Sequence, residues 1–205
     1  MSILLNKKLL SNLAASIKDN LNLHHSLYSL PVKGELWENL LSNSMNSVGI
    51  ENDWEPDYNH AQGVDLQLES TGERISCKSG AVKSNNLEFS GSRMTKYTTF
   101  EDKMDFLMAK RDDVYMLLSR NPKEWEDGVR KYYFICFPSS MLTYDELKWQ
   151  PTMGTRGAYK GKENGFVGCS ESLSAKIQYS MSHQIWTTIL NYKSNKSLYI
   201  KEIEL

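Results

Sequence analysis

Apolar positions near the start of the chain recur every three or four residues, and the pattern later switches to strict alternation. Residues 3–22, "ILLNKKLLSNLAASIKDNLN", carry that helical period with lysines interrupting the apolar run, which predicts an amphipathic packing helix. Pro31 and Gly34 punctuate the chain, and a second helix is expected over 35–48. Its Leu36, Trp37, Leu40, Leu41 and Met45 form one core-facing stripe. Residues 49–62 are polar with a Pro-Asp turn signal and read as a loop.

Alternation begins in "GVDLQLESTGERISCKSG", which predicts strands near 64–69 and 73–79 around Ser70-Thr71-Gly72. "NNLEFSG" is a third strand. "TTFEDKMDFLMAKR" is a helix with Thr99 as N-cap, acids in its first turns, and Lys110 and Arg111 at its end. "VYMLLS" and "KYYFICF" are strands separated by a short helical "PKEWEDGV". Beyond them, "SSMLTYDELKW" is expected to be helical and 150–165 a Gly- and Lys-bearing loop. "AKIQYSMSHQIWTTIL" and "SLYIKEIEL" are expected as terminal strands. The result is an α/β reading: a mixed central sheet flanked by helices.

Length and composition narrow this little further. A chain of 205 residues suits a single domain with insertions. The net charge of −1 excludes a general electrostatic pull toward nucleic acid or membrane, so an anionic partner has to meet a local patch. Cys77, Cys136 and Cys169 lack paired spacing, which argues against a disulfide framework or zinc knuckle and fits a reducing cytoplasm. No membrane segment is expected.

The hairpin carries the candidate chemistry. Pairing Glu69 with Arg74 sets Asp65 opposite Lys78 and puts Asp65, Gln67, Ser76 and Lys78 on one face. Val64, Leu66, Leu68, Ile75 and Cys77 then fill the core on the other. A carboxylate beside an ammonium can hold a divalent cation, orient an attacking water and stabilise developing negative charge, which are the parts phosphodiester hydrolysis needs. An exposed cross-strand ion pair is the plain alternative.

Asp65 followed on the next strand by Ser76-Cys77-Lys78, within the order helix, three-strand meander, helix, strand, resembles the PD-(D/E)xK nuclease superfamily. Gly34 with Glu38 four positions later, in "VKGELWE", matches a helical Glu that joins the metal site in several branches of it. The resemblance covers about 33–120. It implies an αβββαβ restriction-endonuclease-like core over about 33–137, with the first helix and the C-terminal strands as additions. It further implies a Mg2+ cofactor, Asp65 and Glu38 as ligands, Lys78 positioning the water and Ser76 lining the site.

The chain departs from that pattern twice. Ser76 stands where the family usually has an acid, so a carboxylate from another element is called for; Glu88 on the third strand and Glu101 on the next helix are candidates after Glu38. The literal Pro56-Asp57 lies in the loop eight residues before Asp65 and is read as a decoy. Lys83, Arg93 and Lys96 form an expected DNA-contacting strip, and Arg156 and Lys160 a second, each with a solvated polar loop as the alternative. The four histidines show no metal-binding spacing, and Ser170 and Ser172 lack the turn of a serine hydrolase.

Within the superfamily, a small free-standing chain of this kind looks most like a type II restriction endonuclease. It would cut double-stranded DNA as a homodimer, because a palindromic target requires a two-fold protein, with a cognate DNA methyltransferase as a possible counterpart. The rival readings are a structure-specific or repair nuclease of the same superfamily, and a non-catalytic DNA-binding protein that kept the fold and lost an acid.

Overall fold

The structure, a computed structural model, describes residues 6–54, 64–97, 99–109, 112–142, 144–170, 175–180, 185–194 and 198–205. The helices are α1 (Lys7–Leu27), α2 (Glu35–Ser47), α3 (Phe100–Met108) and α4 (Pro122–Glu126). The first strands are β1 (Asn52–Asp53), β2 (Leu66–Leu68), β3 (Arg74–Lys83), β4 (Asn86–Arg93), β5 (Val114–Arg120) and β6 (Lys131–Pro138). They are followed by β7 (Lys148–Met153), β8 (Glu163–Ser170), β9 (Ala175–Ser180), β10 (Ile185–Asn191) and β11 (Tyr199–Glu204).

All of these strands belong to one mixed sheet, in the order β11-β6-β5-β3-β4-β10-β9-β8-β7. β2 pairs the start of β3 and carries β1 on its far side. The β3–β5 pairing is parallel, and the others are antiparallel. Helix α3 lies in the crossover that a parallel pair requires.

Each face of the sheet has its own core. On one, Ile75, Cys77, Val114, Met116, Leu118 and Phe134 pack with Leu13, Ile17 and Leu21 of α1 and Trp37, Leu41 and Met45 of α2. On the other, Val82, Leu87, Phe89, Leu117, Ile135 and Phe137 pack with Leu107 of α3 and with Leu142, Tyr144 and Leu147. Strand alternation accounts for the division. The fold is therefore mixed α/β, a mixed central sheet flanked by helices.

Local chemistry fixes the helix ends. Asn6 caps α1 by accepting from the backbone of Lys8 and Leu9, and Thr99 with Asp102 closes a capping box on α3. Helix α1 runs past the expected end at 22, since His24 and His25 stay in the helix and bond to the following turn: His24 to the Leu30 carbonyl at 3.1 Å, His25 to that of Tyr28 at 3.0 Å. Leu36, expected in the core stripe of α2, lies at its edge and is 46 % exposed.

In place of the expected helix, the described residues of 139–147 form two 3-10 turns, Ser139–Met141 and Tyr144–Glu146. Met141, Tyr144 and Leu147 recur every three residues and pack into the second core, the period of a 3-10 turn. The expected loop at 150–165 is partly strand: β7 reaches Met153 and β8 begins at Glu163. No described helix is long and apolar enough to cross a membrane.

Gly91 lies on β4, the strand to which β10 and the other C-terminal strands join. A Cβ there would fall 2.0 Å from the buried Trp186 ring of β10. Gly91→Ala should lower the urea midpoint by an amount equivalent to about 1–3 kcal/mol, the usual cost of overpacking. An unchanged midpoint would show that Trp186 has room to move.

Candidate functional site

Asp65 and Lys78 meet, but in a register different from the one the sequence suggested. Leu66 pairs with Ile75 and Gln67 with Arg74, which places Asp65 across from Ser76 and makes Lys78 its diagonal neighbour. The turn is the cause. Gly72 takes a left-handed φ of 70° and its N–H bonds back to the Leu68 carbonyl, so Glu69–Gly72 is a four-residue loop and Leu68 faces Glu73. The two registers differ by two residues, which leaves every side chain on its expected face.

The carboxylate of Asp65 is held from three sides at one oxygen. Its Oδ2 accepts from the Cys77 backbone at 2.6 Å, from Lys78 Nζ at 2.8 Å and from Ser76 Oγ at 3.4 Å. The Lys78 and Asp65 side chains are only 17 and 21 % exposed, which makes this a partly desolvated ion pair rather than a solvated one. Among the described residues no hydrogen bond reaches Oδ1, which leaves that oxygen for a ligand.

The sheet opens here into a fork. Along one edge of β3, pairing passes from β2 at Arg74 and Ile75 to β4 at Gly80–Lys83, while β5 follows the other edge from Ile75 to Ala81. Among the described residues, Ser76 to Ser79 therefore have no strand partner on one side. Helix α2 is docked against this segment. Gly34, at its N-terminus, donates its backbone N–H to Ser79 Oγ at 3.1 Å, and Trp37 Nε1 reaches the Met116 carbonyl on β5 at 3.3 Å.

That docking brings Glu38 to the fork. Burial is the main cause that raises its carboxyl from 4.5 to about 7, the Asp65 charge raises it further, the Lys78 ammonium opposes both, and Glu35 adds a smaller upward push. Two carboxyl groups and one ammonium thus share the opening. Asp112, just before β5, is an acid that the sequence reading missed. It is buried, its carboxyl is raised chiefly by desolvation and held by a hydrogen bond with Tyr115, and it feels the charges of Lys78 and Asp65.

The other candidates lie elsewhere. Glu88 follows the alternation to the face opposite Phe89 and approaches Lys83 at 4.0 Å, so the structure does not bring it to Asp65. Glu101 is exposed in the first turn of α3. Lys96 is exposed after β4, and Arg93 is the last residue of that strand. Arg156 and Lys160 are exposed on the β7–β8 connection, where Lys160 bridges to Gly154. Pro56-Asp57, His60, Lys110, Arg111, Ser172 and His183 lie outside the described residues.

Among the described residues no three His, Cys, Asp or Glu side chains gather as a preformed metal cage. Mg2+ does not need one: it commonly takes one or two carboxylates and completes its octahedron with waters and substrate phosphates. The free Oδ1 of Asp65 and the Glu38 carboxyl fit that requirement. No family model matches this sequence, and a search of curated proteins gives no significant match.

Proposed function

We propose that the chain is a Mg2+-dependent endonuclease of the PD-(D/E)xK kind that cuts double-stranded DNA at specific sequences, as type II restriction enzymes do, and acts as a homodimer in the cytoplasm. The observation that carries this reading is the convergence of Asp65, Lys78 and Glu38 at the open fork of β3. The order α2, β2-β3-β4, α3, β5 supports it, being the αβββαβ order of such a core.

In this reading Asp65 and Glu38 hold Mg2+, which when bound polarises the scissile phosphate and the water beside it. Lys78, held against Asp65 in the free protein, orients the attacking water and faces the negative charge that grows on the phosphoryl oxygens. Ser76 keeps the Asp65 carboxylate turned toward Lys78. Lys83, Arg93, Lys96, Arg156 and Lys160 contact the DNA backbone or bases around the site. A DNA methyltransferase is the natural counterpart of such an enzyme.

Unmodified phage and plasmid DNAs incubated with the protein in Mg2+ or EDTA test the reading. Discrete Mg2+-dependent fragments with fixed ends are expected. Cutting only of branched or mismatched substrates would instead make it a structure-specific nuclease. Intact DNA throughout would favour a non-catalytic DNA-binding protein and identify the buried Ser76, in an acid's place, as the lost function.

A further inference from the structure

Two arginines converge on one indole at a corner of the sheet that the proposed site does not use. Arg120, ending β5, and Arg130, just before β6, place their guanidinium carbons 5.5 and 4.5 Å from the centre of the Trp125 ring on α4. Tyr132 packs edge-on against the same indole at 5.1 Å, and both arginines bear electrostatically on its hydroxyl. That hydroxyl accepts the Val32 N–H at 2.9 Å and lies 2.9 Å from His25 Nε2.

Like charges gathered this way repel unless an anion lies between them. Among the described residues neither arginine has a carboxylate within ion-pair distance. Two acids of this corner, Glu124 and Glu202, are engaged by Lys131 at 3.6 and 3.4 Å. Burial lowers the affinity of His25 for a proton, and the Arg130 charge lowers it further, so it supplies no balancing anion and adds little positive charge at neutral pH.

The corner lies further along β3 and β5, on the face of the sheet that α1 and α2 cover. Arg120 lies beside Ala81 of β3, three residues beyond Lys78. The α1–α2 connection spans the interval, bonded to Tyr132 through Val32 and to Ser79 through Gly34. Strand geometry sets the Arg120 and Lys78 backbones roughly 11 Å apart, and alternation turns Arg120 to the face of Met116 and Leu118 and Lys78 to the opposite face, with Leu117.

We propose that Arg120 and Arg130 form a phosphate-binding pair, seated on Trp125, which engages the DNA backbone outside the proposed cleavage site. The proposal rests on the endonuclease reading, which supplies the ligand. The indole offers each guanidinium a cation–π contact, and a guanidinium presents N–H donors in the fork geometry that suits phosphate oxygens.

The test is binding of a 20-base-pair duplex in EDTA, where no cleavage occurs, at several salt concentrations, for the wild type and Arg120→Gln/Arg130→Gln. The expected result is a slope of log K against log salt shallower by about 1–2, the loss of one or two phosphate contacts, with binding about tenfold weaker at 0.1 M salt. The thermal midpoint, measured alongside, should stay within a few degrees, since the glutamine stems still cover Trp125.

An unchanged slope and affinity in the double variant would overturn the arginine pair and leave the nuclease reading standing. A wild type that binds duplex with the expected arginine-dependent slope but never cuts DNA in Mg2+ would remove the nuclease and keep the pair. No binding of duplex by the wild type would overturn both. If the double variant unfolds, the chemical shift of the Trp125 indole N–H in the wild type on titration with inorganic pyrophosphate decides: movement supports the pair, and none overturns it.

Discussion

Replacing Lys78 by Ala is expected to slow Mg2+-dependent cleavage of duplex DNA by about 10²- to 10³-fold, the usual loss when one group facing developing transition-state charge is removed. The fold should survive, because Asp65 keeps the Cys77 N–H at 2.6 Å and the Ser76 hydroxyl at 3.4 Å. Duplex binding in EDTA should change by only the small factor due to one lost positive charge. The check is single-turnover cleavage alongside equilibrium binding. A Lys78→Ala protein that cuts at the wild-type rate would mean that the ammonium is structural and that the water is positioned by another group.

Glu38→Gln should have two effects of opposite sign. Cleavage should fall by at least about 10²-fold, because one of the two proposed Mg2+ ligands loses its charge. Stability at pH 8 should rise. The Glu38 carboxyl is raised from 4.5 to about 7, so the folded protein binds more protons than the unfolded chain between those values. The cost of ionising it is absent below about 4.5 and fully present above about 7.

A glutamine never incurs that cost. The variant should match the wild type in urea at pH 4.5 and exceed it at pH 8 by about 1–2 kcal/mol, a figure discounted because the carboxyl is half-buried and partly screened. Mg2+ at pH 8 should stabilise the wild type and not the variant, narrowing the gap. A variant less stable than the wild type at both pH values would show that Glu38 has a structural partner.

The faces of the hairpin could be read from the sequence and its register could not, for a single reason. Alternation fixes which residues share a side, and a shift of two leaves that unchanged. The pairing itself depends on which turn Gly72 adopts, and a glycine permits several. The position of Glu38 was legible because the Gly34–Glu38 spacing lies on one helix, whose docking requires a buried stripe and little else.

Asp112 was hidden for the opposite reason. It stands beside Asp113 in an unremarkable polar junction, and only the parallel β3–β5 pairing, set by a crossover through α3, carries it to the fork. Strand β7 was hidden as well. Its residues are exposed or half-buried throughout, and Pro151 within "KWQPTM" is a signal against a strand. The arginine pair could not be seen either, because Arg120 and Arg130 reach one indole only after α4 brings Trp125 to the ends of β5 and β6.

The central claim is that the Asp65–Lys78–Glu38 fork cuts phosphodiesters. Its most direct test is a supercoiled plasmid incubated with wild-type and Asp65→Asn proteins, purified identically, in Mg2+ and in EDTA. Linear or discrete fragments from the wild type in Mg2+ alone are the predicted result. A plasmid left intact by the wild type, or cut equally by the Asp65→Asn protein, would contradict it.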